Sequence, residues 1–134
     1  MPHQIIEYSS NLESKVDIPA LVKLLHETVA GIEAFPREAL RTRAARRDQY
    51  AIADHDPANA FVHVVLRIAS GRSAQVKTAA GDKIFDVLCE FLAPVQAVTP
   101  LGISFEIQEI DPVFRWKLNS IPAFVGKKKG GATR

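Results

Sequence analysis

The sequence predicts an α+β fold: duplicated β-α-β units forming a four-stranded mixed sheet, with two helices on one face. Three observations carry this. Four short stretches read as strands, with apolar alternation in the third and fourth, and two long ones carry apolar residues at helical spacing. The order of these stretches is strand, helix, strand, repeated once. Each helix is long enough to cross back over the sheet. The second sheet face then has no helix to cover it, which implies a partner subunit on that face.

The first strand runs from Pro2 to Ser9, with Ile5 and Ile6 on opposite faces. Ser9-Ser10-Asn11 is a loop. Asp17 is the expected N-cap of the first helix, with Pro19 in its first turn, where a missing N–H costs little. Ile18, Leu21, Val22, Leu25, Val29 and Ile32 form its apolar stripe, and Gly31 marks its end. His26 borders that stripe and reads as a structural residue.

A second strand is expected from Leu40 to Ile52. It places Arg41, Arg43, Ala45 and Arg47 on one face and Thr42, Ala44 and Arg46 on the other. Asp54-His55-Asp56-Pro57 is turn chemistry. Two carboxylates and an imidazole there resemble a metal cluster, but adjacent residues on one turn make poor joint ligands, and no metal is expected. The third strand, Phe61–Ile68, puts Val62, Val64, Leu66 and Ile68 on one face and a mixed set, Phe61, His63, Val65 and Arg67, on the other. Ser73 is the expected N-cap of the second helix. Its stripe is Val76, Ala80, Ile84, Val87, Leu88, Phe91, Leu92 and Val95. In the fourth strand Ile103, Phe105 and Ile107 alternate with Ser104, Glu106 and Gln108. Phe114 to Phe124 is a short appended element carrying Trp116.

The 134 residues suit one domain, read as 1–126, and 47% apolar content is enough for a core. No apolar run reaches the ~18 residues of a membrane span, and the N-terminus has no secretory pattern. A single cysteine, Cys89, rules out an internal disulfide and suits a cytoplasmic location. The formal net charge of +2 includes the four basic residues Lys127, Lys128, Lys129 and Arg134, so the remainder carries −2. The basic balance belongs to residues 127–134, expected to be a disordered tail. It is weak evidence for a nucleic-acid partner, and none is expected.

Three features suggest chemistry. Loss of Met1 would make Pro2 the N-terminus, a secondary amine that can act as a base. Apolar walls and nearby cations lower the pKa of such an amine toward working pH. Arg41 opens the second strand. Arg72, in Gly71-Arg72-Ser73, stands at the start of the second helix, where backbone N–H groups also attract carboxylates. Guanidinium groups clamp carboxylates bidentately and stabilise a developing dienolate.

These residues sit in a wider pattern. Met1-Pro2-His3, Glu7-Tyr8-Ser9, Phe35-Pro36, Leu40-Arg41-Thr42-Arg43 and Ala53-Asp54 are followed by Ala60-Phe61-Val62-His63, Leu66-Arg67-Ile68 and Gly71-Arg72-Ser73. Ser104-Phe105-Glu106-Ile107-Gln108-Glu109 and Asp111-Pro112 complete it. Together they resemble the 5-carboxymethyl-2-hydroxymuconate delta-isomerases of the tautomerase superfamily, over nearly the whole chain up to about Ser120. The resemblance implies a homotrimer of duplicated β-α-β units and no metal or cofactor. It implies Pro2 as proton shuttle, with Arg41 and Arg72 binding a di- or tricarboxylate substrate in aromatic catabolism. Two stretches depart from the family pattern: Ala39-Leu40, where Gly-Ile is usual, and Asn119-Ser120-Ile121-Pro122, where a histidine usually follows Asn-Asn and an apolar residue. Two alternatives stand beside this reading. One is another tautomerase-type activity, or a hydratase, on a different oxo-acid. The other is a non-enzymatic ferredoxin-like binding module, disfavoured by 7% aromatic content and the lack of interleaved basic and aromatic positions.

Overall fold

The computed structural model describes residues 1–132. Its elements are β1 (His3–Ser9), α1 (Ile18–Ala30), β2 (Arg41–Arg47), β3 (Ala60–Ala69), α2 (Ala74–Gln96), β4 (Leu101–Ile110) and α3 (Ile121–Ala132). The sheet order is β2-β1-β3-β4. β1 is parallel to β2 and antiparallel to β3, and β3 is parallel to β4. The two β-α-β units therefore meet along the central β1–β3 pair, as the repeated pattern predicts.

Alternation decides what each face does. Ile6 and Tyr8 of β1 and Val62, Val64, Leu66 and Ile68 of β3 are buried toward the helices. Leu21, Leu25 and Val29 of α1 and Ala80, Ile84, Leu88 and Leu92 of α2 complete this core. Truncating one of these leucines to alanine costs about 2–5 kcal/mol. Both helix starts are capped as their sequences dictate. The Asp17 carboxylate accepts from the Ala20 N–H, and the Ser73 hydroxyl accepts from the Val76 N–H. Each cap contributes ~1 kcal/mol. His26 is structural: its Nδ1 lies 2.8 Å from Thr42 Oγ1 and joins α1 to β2.

The structure differs from the sequence reading in four places. β2 ends at Arg47, not Ile52, because its partner β1 ends at Ser9, the residue paired with Arg47. Of Ser9-Ser10-Asn11, read as loop, Ser9 ends β1, and Ser10 and Asn11 form with Leu12 a 3₁₀ turn that buries Leu12. Val76 lies outside the core, on the exposed first turn of α2. α3 carries the chain as helix through Ala132, so the first part of the expected tail is helical. Asn119 Oδ1 accepts from the Ile121 N–H at 3.0 Å and starts that helix, with Pro122 in its first turn. Thr133 and Arg134 lie outside the described residues, as do the side chains of residues 129–132.

Residues on the other sheet face are only half covered within one chain. Register sets Arg43, Ile5, Val65 and Glu106 in one row, and Ala45, Glu7, His63 and Ser104 in the next. Ile5, Phe61 and Val65 are half-buried apolar side chains on this face. Around them are polar links: Arg47 to Glu7 at 2.6 Å, and His63 between Ser104 Oγ at 2.6 Å and Glu106 Oε1 at 3.0 Å. Among the described residues, no helix is long and apolar enough to cross a membrane.

Candidate active site at the start of the first strand

Pro2 is buried immediately before β1. Its carbonyl accepts the Arg41 N–H at 3.1 Å, which ties the beginning of β2 to the beginning of the chain. With Met1 attached, the Pro2 nitrogen is an amide. The charge at this end acts on Met1 itself. Burial, and then Lys117, Arg115, Arg41 and Arg72, hold its α-amino group below the ordinary value of 8.0. Both causes disfavour an ammonium.

Arg41 is half-buried and in register with His3. Its Nη1 is buried without a hydrogen-bond partner. Such a donor costs stability while it is buried and unpaired.

Arg72 is differently employed. Its Nε and Nη2 donate to the Ala34 carbonyl at 2.9 and 2.7 Å, and its Nη1 donates to the Ala69 carbonyl at 3.1 Å. Its guanidinium carbon lies 5.0 Å from the centre of the Phe35 ring. Gly71, at φ +115°, sets up this placement with a backbone conformation that side-chain-bearing residues rarely adopt. Three of the five donors of a guanidinium are thus held by backbone carbonyls. Arg72 fixes the Ala34–Phe35 loop against the end of β3 and brings its charge near the chain start.

Sequence reasoning missed part of this site. A cavity of about 300 Å³ opens beside Met1 and His3. Its cationic walls are Arg67, Arg115 and Lys117, and its apolar walls include Ile110, Phe114 and Trp116. Nη1 of Arg115 is also buried without a partner. No carboxylate lines the cavity, and no ion pair forms to Arg41, Arg67, Arg72, Arg115 or Lys117 among the described residues. His3 is kept toward its neutral form, first by burial and then by Arg43, Arg41, the N-terminus and Arg67. Arg43 Nη1 lies 3.2 Å from its Nδ1, so Nδ1 accepts and Nε2 carries the proton. A buried chain start, apolar walls and several uncompensated cations make a site for a small polyanion next to a potential amine base.

The turn at Asp54–Pro57 is held by its own bonds. Asn59 Nδ2 donates to Asp54 at 2.8 Å, and Ala58 N–H donates to Asp56 at 2.9 Å. It lies apart from the chain start and contributes nothing to that cavity.

A model of the family described as 5-carboxymethyl-2-hydroxymuconate isomerase matches residues 2–125. A 5-carboxymethyl-2-hydroxymuconate Delta-isomerase of Escherichia coli is 33% identical over 123 residues, covering 92% of this chain and 98% of that protein. The crystal structure of a 5-carboxymethyl-2-hydroxymuconate isomerase from Deinococcus radiodurans R1 superposes with a TM-score of 0.85 at 40% identity, covering 92% of this chain and 93% of that one. At the level of fold alone, a structure described as a fused 4-OT wild-type symmetric trimer aligns with a TM-score of 0.59 at 17% identity, covering 87% of this chain and 92% of that one.

Proposed function

The chain belongs to the 5-carboxymethyl-2-hydroxymuconate isomerase family, and we propose that the nitrogen of Pro2, freed by removal of Met1, carries its proton transfer. The enzyme is an isomerase, and the alternative of a non-enzymatic binding module gives way to this match. The observation that carries the mechanistic reading is the burial of Pro2 among cations without carboxylate partners.

A base in this position removes a proton from one end of a conjugated 2-hydroxy acid. The electron pair moves along the chain, and the same nitrogen returns the proton at the other end. No atom is lost or gained, so no co-reactant is required. Arg41, whose Nη1 has no protein partner, binds a substrate carboxylate and stabilises the dienolate charge. Arg72 is proposed to contribute through its long-range charge and its two remaining donors, with its other donors holding the loop. A di- or tricarboxylate of the 5-carboxymethyl-2-hydroxymuconate type suits a cavity of this charge and size.

We also propose a homotrimer. Support comes from the half-covered apolar residues Ile5, Phe61 and Val65 on the helix-free sheet face, and from the trimeric assembly of the 4-OT relative. Ultraviolet absorbance distinguishes the substrate class. Conversion of 5-carboxymethyl-2-hydroxymuconate, faster than that of smaller enol pyruvates, supports the reading; the reverse preference assigns the site to a different oxo-acid.

A further inference from the structure

Among the described residues, two arginine atoms are buried without a hydrogen-bond partner, Nη1 of Arg41 and Nη1 of Arg115. The reading above uses the first. The second is outside the residue pattern on which the family resemblance was built.

The segment that carries Arg115 lies between two side-chain-bonded turns. Upstream, the Asp111 carboxylate accepts from the Val113 N–H at 2.9 Å and caps the 3₁₀ turn Pro112–Phe114. Arg115 leaves that turn in an extended conformation, φ −125° and ψ 126°. Downstream, the Asn119 side chain caps α3. A residue that merely fastens this segment to the sheet would donate to a carbonyl or a carboxylate, as Arg72 does to Ala34 and Ala69. Arg115 Nη1 donates to neither. Lys117 lines the same cavity two residues on, with Trp116 between them and Ile110 as an apolar wall. The cavity thus has cations for a carboxylate and apolar surface for a conjugated carbon chain. Arg72 has most of its donors tied to carbonyls, so one arginine with a buried unpaired donor, Arg41, is left for a substrate whose name gives it three carboxylates.

We propose that Arg115, assisted by Lys117, forms a second carboxylate subsite, which selects a tricarboxylate over the corresponding dicarboxylate. This rests on the isomerase reading and adds a specificity-determining residue to it. Replacing Arg115 removes a donor that meets only the additional carboxylate, so the loss falls on KM for the larger substrate.

The test compares wild-type protein lacking Met1 with Arg115→Gln and Arg115→Lys. Steady-state kinetics are measured on 5-carboxymethyl-2-hydroxymuconate and on 2-hydroxymuconate, which lacks the carboxymethyl arm. For Arg115→Gln, measured at a pH above the acid limb, KM for the tricarboxylate rises at least tenfold, and its kcat/KM falls at least threefold more than that of the dicarboxylate. Arg115→Lys recovers part of the loss. An unchanged KM, or an equal loss on both substrates, overturns the subsite. A binding measurement separates this from failure of the parent reading. Tricarballylate raises the melting temperature of the wild type more than glutarate does, and Arg115→Gln abolishes the difference. If the wild type isomerises neither substrate but shows this difference, the isomerase mechanism fails and the subsite stands. If Arg115→Gln keeps the difference, the subsite is wrong whatever the kinetics.

Discussion

The Arg41 N–H donates to the Pro2 carbonyl at 3.1 Å. The parallel pairing of β1 and β2 therefore brings the start of β2 to the chain start, where the Arg41 charge acts on the terminal amine. Neither residue is distinctive alone, and the backbone bond ties the two chain positions together. Among the described residues the Arg41 Nη1 has no hydrogen-bond partner, so the side chain should add little to stability. Arg41→Ala should lower kcat/KM by about 10²–10³, the usual loss for one donor to a developing oxyanion. Its melting temperature should stay within about 2 °C of wild type. Large unfolding with little change in kcat/KM would assign Arg41 to structure instead.

Arg72 should behave in the opposite way. Its side chain bonds to two backbone carbonyls and stacks on Phe35. Arg72→Ala should destabilise the protein by roughly 2 kcal/mol, since hydrogen bonds from a charged group are worth ~1.5–3 kcal/mol. Arg72→Lys should not restore stability, because an ammonium cannot reproduce the planar fork or the stacking. Chemical denaturation of the three proteins decides this, and full rescue by lysine would contradict it.

Much of the architecture was legible because it follows from local periodicity. Val62, Val64, Leu66 and Ile68 alternate, and all four are fully buried. Asp17 and Ser73 precede apolar stripes and make the expected caps. What escaped sequence reading depends on contacts distant in the chain. Arg115 and Lys117 belong to no periodic pattern, and nothing near them in sequence points to Met1. They line its cavity only after β4 has paired with β3 and the chain has turned at Asp111. Arg72 shows the converse. Its place before a helix is legible, but the Ala34 carbonyl that takes two of its donors is 38 residues away.

The charges around the chain start predict a pH profile. Burial and four cations hold the Met1 amine below 8.0, and the Pro2 amine exposed by its removal should meet the same cations. Positive neighbours disfavour protonation, so the base should be free at lower pH than in prolinamide. The acid limb of kcat/KM reports that group, and its midpoint should lie below the pKa of prolinamide. Arg115→Gln removes one lowering charge and should shift the midpoint upward. A downward shift would contradict this sign.

The open sheet face predicts assembly. Val65 is half-buried there, in register with Ile5 and Glu106. Val65→Lys would place a charge in the subunit contact, whose desolvation is unfavourable. Sedimentation velocity should show a trimer for the wild type and a smaller species for Val65→Lys. A wild-type monomer at micromolar concentration would remove the trimer from the account.

The central claim is that the Pro2 nitrogen is the base, and it depends on what precedes that atom. Two preparations should be made, one with Met1 removed and one with an extra residue retained before Pro2, each verified by intact mass. Turnover of 5-carboxymethyl-2-hydroxymuconate is then measured at the pH optimum. The free proline should be active and the blocked one slower by at least about 10³-fold, since an amide nitrogen cannot accept the proton. Equal turnover by the two preparations would contradict it.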